Sequence, residues 1–178
     1  GLIADSAQAV GLGFVAEHET ILVIGENNGH LGQSLYLREI HGLETGAVPP
    51  VDLTTEKRNG DFIRSHILNG LITSCHDVSD GGLLVTIAEM AMASRIGAMV
   101  NHSPENPSAF WFGEDQTRYV ITTTEPEKII SAAQIGGIEV LKIGMTHGTQ
   151  LSVNDVSTSV TELIATNEKW LPDYMNGR

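Results

Sequence analysis

The sequence predicts an α/β fold of the α+β kind: a layered α/β/α domain built on one mixed sheet. Three observations predict it. Short β-rich runs alternate with helix-patterned runs along the chain, and a sheet with helices packed on it is the economical way to bury both. A β-rich run, a helical run and a second β-rich run follow one another over residues 117–143, the order of a parallel β-α-β unit. Near the start, two apolar runs flank a short polar segment, the order of an antiparallel hairpin, so strand directions should be mixed.

Taken in order, residues 11–15 and 21–24 read as the two hairpin strands, with 16–20 as their turn. Gly25 ends the second, and Glu26-Asn27-Asn28-Gly29 is turn-forming material. A helix follows over about 33–41, with Leu35, Leu37 and Ile40 apolar and Gly42 where a C′ glycine belongs. Pro49-Pro50 marks a loop. Asp52 or Thr54 can cap a second helix to about Asn69, whose Phe62, Ile63, His66 and Ile67 share one face. Gly70 closes it. Residues 71–78 read as a buried strand. Asp77 to Gly82 then turn the chain into a helix over about 83–95, with Leu84, Ile87, Ala88 and Ala91 toward the core.

Residues 96–101 read as a strand, and 103–108, with Pro104 and Pro107, as a loop. Residues 117–124 form the next strand. Pro126 opens a helix through Gln134, where its fixed φ is tolerated, and Gly136-Gly137 stops it ahead of a strand over 138–143. Residues 150–153 read as the last strand. Ser157 or Ser159 can cap a final helix through about Lys169, ended by Trp170-Leu171-Pro172 before a polar tail.

The length of 178 residues suits a single domain, read here as 1–178. Ten Lys+Arg against 22 Asp+Glu leave a net charge of −12, which repels phosphate backbones and argues against a nucleic-acid partner. No apolar run approaches a membrane span, and no secretory leader is visible. The single cysteine, Cys75, excludes an internal disulfide framework and fits a reducing compartment. The chain opens at Gly1 without an initiator Met, as a processed chain or a piece of a longer one would.

Three segments carry candidate chemistry. The first is Cys75-His76-Asp77-Val78-Ser79-Asp80-Gly81-Gly82-Leu83, at a strand-to-helix junction. Gly81 and Gly82 admit a ligand close to the backbone, the following helix exposes unpaired N–H groups, and Asp77, Ser79 and Asp80 could orient a hydroxyl or a cation. A plain N-cap by Ser79 or Asp80 explains the same residues equally well. The second is Gly29-His30-Leu31-Gly32-Gln33-Ser34, another glycine-rich loop opening a helix. A ligand role for Gly32, Gln33 and Ser34 competes there with an ordinary helix start. The third is Gly113-Glu114-Asp115-Gln116-Thr117-Arg118, before a strand. Its amides and Arg118 could read a phosphorylated substrate, with Glu114, Asp115 and Gln116 beside them. The alternative is a solvated loop with an Asp115–Arg118 ion pair of little energetic worth.

The seven histidines, at 18, 30, 41, 66, 76, 102 and 147, show no local ligand spacing such as His-x-x-x-His, which argues against a zinc site. Strand alternation sends Cys75 and His76 to opposite faces, so Cys75 reads as a buried inert thiol and not a nucleophile. His66, on an apolar helix face, reads as a satisfied core histidine.

Together the segments resemble a known family. Ser74-Cys75-His76-Asp77-Val78-Ser79-Asp80-Gly81-Gly82-Leu83 resembles the strand-turn-helix signature of the aminoimidazole-ribotide-synthetase-like C-terminal domain, found in ATP-dependent enzymes of purine, thiamine, selenium and hydrogenase-maturation chemistry. Gly113-Glu114-Asp115-Gln116-Thr117-Arg118-Tyr119 and Gly29-His30-Leu31-Gly32-Gln33-Ser34-Leu35-Tyr36-Leu37-Arg38 are similar to the phosphoribosylformylglycinamidine synthase large-subunit family. Gly1-Leu2-Ile3-Ala4-Asp5 matches the start of that family's last domain, and the motifs keep their order from Gly1 to about Val153.

The resemblance implies an ATP-dependent carbon–nitrogen ligase of the cytoplasm, an amidoligase of purine biosynthesis. It converts formylglycinamide ribonucleotide and glutamine-derived ammonia to formylglycinamidine ribonucleotide, with ATP and Mg²⁺. It implies that this chain is the last, second B-type domain, and that the catalytic histidine and most ATP and Mg²⁺ ligands lie in A domains outside it. The domain alone should then be inactive, assign no catalytic or metal residue of its own, and bind neither cofactor tightly. Implied partners are the preceding A and B domains, a glutaminase subunit and a small bridging subunit. An excised domain can also pair with its own copy through the apolar surface that normally meets its neighbours. Two departures stand out: Asp115 occupies a position that is usually serine in the family's first B domain, and Gln33 one that is often glycine. An aspartate facing a phosphate is unfavourable without a cation, which implies that this loop is no duplicate substrate site. A thiamine- or selenium-type kinase domain and a free-standing nucleotide-binding or interaction module are the alternatives.

Overall fold

The computed structural model describes residues 5–177. In chain order its elements are β1 (Thr20–Ile24), α1 (Leu35–His41), α2 (Leu53–Leu68), β2 (Ser74–Asp77), α3 (Gly82–Ser94), β3 (Ala98–Val100), α4 (Pro107–Phe112), β4 (Tyr119–Thr123), α5 (Pro126–Gly136), β5 (Val140–Thr146), β6 (Gln150–Val153), β7 (Val156–Ser159) and α6 (Val160–Met175). Of the opening Gly1-Leu2-Ile3-Ala4-Asp5, residues 1–4 lie outside the described residues.

The expected three layers are present. Seven strands form one mixed sheet in the order β2-β4-β1-β5-β3-β6-β7. Strand alternation divides β1 between two cores. Ile21 and Val23 join Val100, Val120, Ile143 and Leu151 beneath α3, α4 and the start of α6. Leu22 and Ile24 join Ile121 beneath Ile63 of α2 and Ile129 and Ala133 of α5. Each fully buried aliphatic side chain contributes about 2 kcal/mol relative to exposure, so burying one on each side holds both helix layers to the sheet.

Several elements differ from the sequence reading. The 11–24 hairpin does not form. Both edges of β1 are taken, by β4 on one side and β5 on the other, each antiparallel. Residues 11–15 therefore have no ladder to join there; Gly11 accepts one bond from the Cys75 amide, 3.1 Å, and Phe14 is buried in the core. The β4-α5-β5 unit has its two strands pointing the same way, but β1 lies between them. Among the described residues, the only direct parallel pair is β3 with β6.

β2 is an edge strand, shorter than the predicted run and half-exposed in its second half. α4 begins in the last two residues of the 103–108 stretch read as a loop and runs on to Phe112: Asn106 accepts from the Ala109 amide as N-cap and Pro107 takes the first turn. A further strand, β7, follows a tight turn at Asn154 and closes a hairpin with β6. The buried face of α3 is rotated by one residue, to Leu83, Ile87, Met90 and Ala91; Leu84 and Ala88 pack at its flank. α6 runs through Pro172 to Met175. A proline there forfeits one helical hydrogen bond. This stretch is exposed, so water can serve the freed carbonyl, and Trp170 stacks on Tyr174 one turn on, centroids 5.4 Å apart.

Candidate functional site

The three glycine-bearing segments meet at one end of the sheet. The loop after β1, the turn between β2 and α3, and the loop between α4 and β4 are tied together by Glu114 and Asp115. Glu114 Oε1 accepts from the backbone amides of Leu35 and Gly81, each at 2.8 Å. Its own amide donates to the His30 carbonyl, 2.9 Å. Asp115 Oδ2 accepts from the Gly29 amide at 2.9 Å, and Oδ1 from the His30 amide at 3.0 Å. Asn59 of α2, 1% exposed, reaches across to donate to the Thr117 carbonyl, 3.0 Å.

Behind these carboxylates lies Arg118, 1% exposed. Its Nη2 donates to the Gly113 carbonyl at 2.6 Å, and Nη1 sits 3.8 Å from Asp115 Oδ2. Nε and Nη1 are buried without a hydrogen-bond partner. Burial lowers the guanidinium pKa, partly countered by the Asp115 charge. The solvated surface pair that the sequence allowed is thus an internal one.

The turn after β2 has its own backbone requirement. Gly81 and Gly82 have φ of +83° and +75°, the left-handed region that side chains other than glycine rarely enter. A Cβ on Gly82 would also meet the Phe112 backbone at 2.6 Å. Gly81 is the N-cap of α3, and no side chain caps the helix. The N-cap explanation for Ser79 and Asp80 therefore fails, and Asp77, Ser79 and Asp80 are exposed.

The other predicted residues divide in the same way. Ser34 is buried and caps α1 by accepting from the Leu37 amide, 3.3 Å. Gly32 and Gln33 are clasped by the 45–47 loop: the Gln33 amide donates to Thr45 O at 3.0 Å and its side chain to Gly46 O at 3.1 Å. Gln116 is exposed. Gln116 and Thr117 form the ridge between two cavities. One, of about 270 Å³, is bordered by Glu26, Asn28, His30, Asp52 and Asp115, and no Lys or Arg lines it. The other, of about 580 Å³, is bordered by Glu56, Cys75, His76, Asp77 and Tyr119. Burial, with the nearby Asp77 charge, pushes the Cys75 thiol up to about 12, so it is a poor nucleophile.

Consecutive backbone amides of this kind are what a phosphate group uses at a glycine-rich loop. Here the Gly29, His30, Leu35 and Gly81 amides already hold carboxylates of the same chain. The loop cluster therefore does not fit a nucleotide phosphate. Asp115 accepts one amide on each oxygen, and Glu114 accepts both of its amides on Oε1. Elsewhere among the described residues, Glu17, His18 and His147 bring ligand atoms within 4.8 Å of one another on the exposed surface. That juxtaposition joins His18 to His147, 129 positions later in the chain, and no local spacing could announce it. Asn59 and α4 were also missed; the Asn106-Pro107 pair was the available signal for α4.

The family described as "AIR synthase related protein, C-terminal domain" matches residues 16–154. The chain is 49% identical, over 183 aligned residues, to the phosphoribosylformylglycinamidine synthase subunit PurL of Nitrobacter hamburgensis; the match covers 100% of this chain and 25% of that protein. It is 49% identical to the same-named subunit of Methylocella silvestris, covering 98% of this chain and 24% of that one. The chain thus spans about a quarter of the length of the curated relatives it matches. Among solved structures, Thermotoga maritima PurL complexed with FGAR shares the fold, with a TM-score of 0.73 at 17% identity over 89% of this chain and 30% of that one.

Proposed function

The chain belongs to the AIR synthase related C-terminal domain family, and from that premise we propose that it is the second B-type domain of a phosphoribosylformylglycinamidine synthase large subunit. The observation that carries this reading is the convergence of all three motifs on one carboxylate: Glu114 joins the Leu35 and Gly81 amides at 2.8 Å each. Segments scattered over some eighty positions are built as a single unit, and they are the segments in which the chain resembles the synthase family. The relatives at 49% identity over nearly the whole chain support it.

In this reading the full-length enzyme is a cytoplasmic carbon–nitrogen ligase. It converts formylglycinamide ribonucleotide, ATP and ammonia to the amidine, ADP and phosphate, with Mg²⁺ as the metal of the nucleotide. A glutaminase subunit supplies the ammonia and a small subunit bridges the two. This domain supplies none of the nucleotide ligands through its loop cluster, because those amides are engaged by Glu114 and Asp115. What it offers outward includes exposed Asp77, Ser79, Asp80 and Gln116, which in this reading meet the preceding A domain or a ligand held by it. Exposed Ile40, Val48, Val51 and Leu53 supply apolar surface for the same contact; in the excised domain that surface would serve a second copy.

The test is complementation. A purine auxotroph lacking this enzyme should grow on the full-length gene and fail on one from which this segment is deleted. Growth without the segment overturns the reading.

A further inference from the structure

We propose that Asp115 is a specificity-determining residue: its carboxylate is a built-in anion that fills the Gly29–His30 amide cradle, so that the site refuses phosphate until that carboxylate is removed. The inference goes beyond the functional reading above and stands on geometry whether or not the chain serves amidine synthesis.

Both Asp115 oxygens are committed, one to each of two consecutive amides, at 2.9 and 3.0 Å. Gly29 has φ +68°, and successive amides about a left-handed residue form a concave, electropositive nest whose usual guest is an anion. Asp115 is 5% exposed, so it is seated in the nest and not laid across it. The second observation comes from behind. Arg118 is fully buried, carries two nitrogens without hydrogen-bond partners, and has one of them, Nη1, 3.8 Å from Asp115 Oδ2. A sealed guanidinium with unsatisfied donors needs a nearby negative charge. Among the described residues, Asp115 is the carboxylate paired with it.

An anion standing where the Asp115 carboxylate stands would meet the same donors: two amides in front and the guanidinium behind. While the aspartate is present, a phosphate must displace it. It must also enter through a cavity walled by Glu26, Asp52 and Asp115 with no Lys or Arg, against their charge. Serine at this position lacks both the charge and the reach to span two amides. It would leave the donors facing the cavity.

The experiment titrates inorganic phosphate into the chain and into its Asp115→Ser and Asp115→Asn variants, at matched ionic strength against chloride. The amides of Gly29 and His30 are followed by NMR, and Tm is measured alongside. In the native protein neither amide should move with phosphate beyond the chloride control. In Asp115→Ser both amides should shift saturably, and Tm should rise with phosphate and not with chloride. Asp115→Asn removes the charge but leaves a group of the same size in the cradle, so its amides should respond to phosphate more weakly than those of Asp115→Ser. Saturable phosphate shifts at these amides in the native protein overturn the proposal. So does a folded Asp115→Ser variant whose amides ignore phosphate. If Asp115→Ser is unfolded, phosphate must restore its folding where chloride does not; a variant left unfolded by both overturns the proposal equally.

Discussion

The carboxylate of Glu114 lies 2.8 Å from the backbone nitrogen of Gly81, 33 positions earlier in the chain. The same oxygen holds the Leu35 amide, so one side chain sets the spacing between the first turn of α1 and the cap of α3. Replacing Glu114 with Ala leaves two half-buried amides without their acceptor. Hydrogen bonds to a charged group contribute about 1.5–3 kcal/mol, and with partial access of water the expected loss is about 2 kcal/mol in urea unfolding. Glu114→Gln keeps one carbonyl oxygen and should lose about half as much.

Arg118→Ala should be more damaging. Removing one partner of a buried pair leaves the other uncompensated, at a cost of about 3 kcal/mol or more. Asp115 keeps its two amide donors, which holds the loss toward the lower end. A double-mutant cycle with Asp115→Asn checks the coupling: the two losses should be clearly less than additive.

The two glycines before α3 should rank differently. At Gly82 a methyl group meets left-handed strain and the Phe112 backbone at 2.6 Å, so Gly82→Ala should cost about 3 kcal/mol. At Gly81 the nearest atom is Val85 Cγ2 at 2.7 Å, the end of a side chain that can turn away, so Gly81→Ala should cost about 1–2 kcal/mol of strain. Thermal unfolding of the pair orders them, and equal losses would contradict this account.

With its thiol pushed up to about 12 from 9.0, Cys75 holds about a thousandfold less thiolate at pH 8 than an ordinary cysteine. Iodoacetamide should modify it only slowly in the native state and rapidly in urea. Fast native labelling at pH 8 would contradict the burial that sets the shift.

Glu17 gives a pH test. The Gly148 amide donates to its carboxylate at 2.9 Å and holds its pKa below 4.5, with lesser help from His147 and His18. The folded value is lower than the unfolded one, so the contribution is complete above the unfolded pKa and lost as pH falls through the folded value. Stability curves of the native protein and Glu17→Gln should therefore differ near neutrality and converge in acid.

Much of the fold was legible in the sequence because periodicity and caps are local. α1 with Ser34 and Gly42, α2 with Asp52, and α5 between Pro126 and Gly137 lie where their residues put them. Strand pairing was not legible. Nothing within residues 11–24 says that Ile21 will pair with Thr122 and Gly144 in place of its own neighbours. The three site segments were found from glycines and polar residues, but their division of labour was not. Asp77 and Gln116 face outward while Asp115 and Arg118 face inward, and that depends on α4, which packs Phe110 and Trp111 into the core.

The insertion of β1 between β4 and β5 has a consequence for synthesis. Thr20–Ile24 has both its partners at residues 119–123 and 140–146, so the apolar strand is synthesised and then waits for nearly a hundred further residues before either edge is covered. Pairing over such separations slows folding and leaves the nascent chain open to aggregation. A chaperone that shields Ile21–Ile24 during translation would raise the yield of this chain more than that of one whose first strand closes a local hairpin.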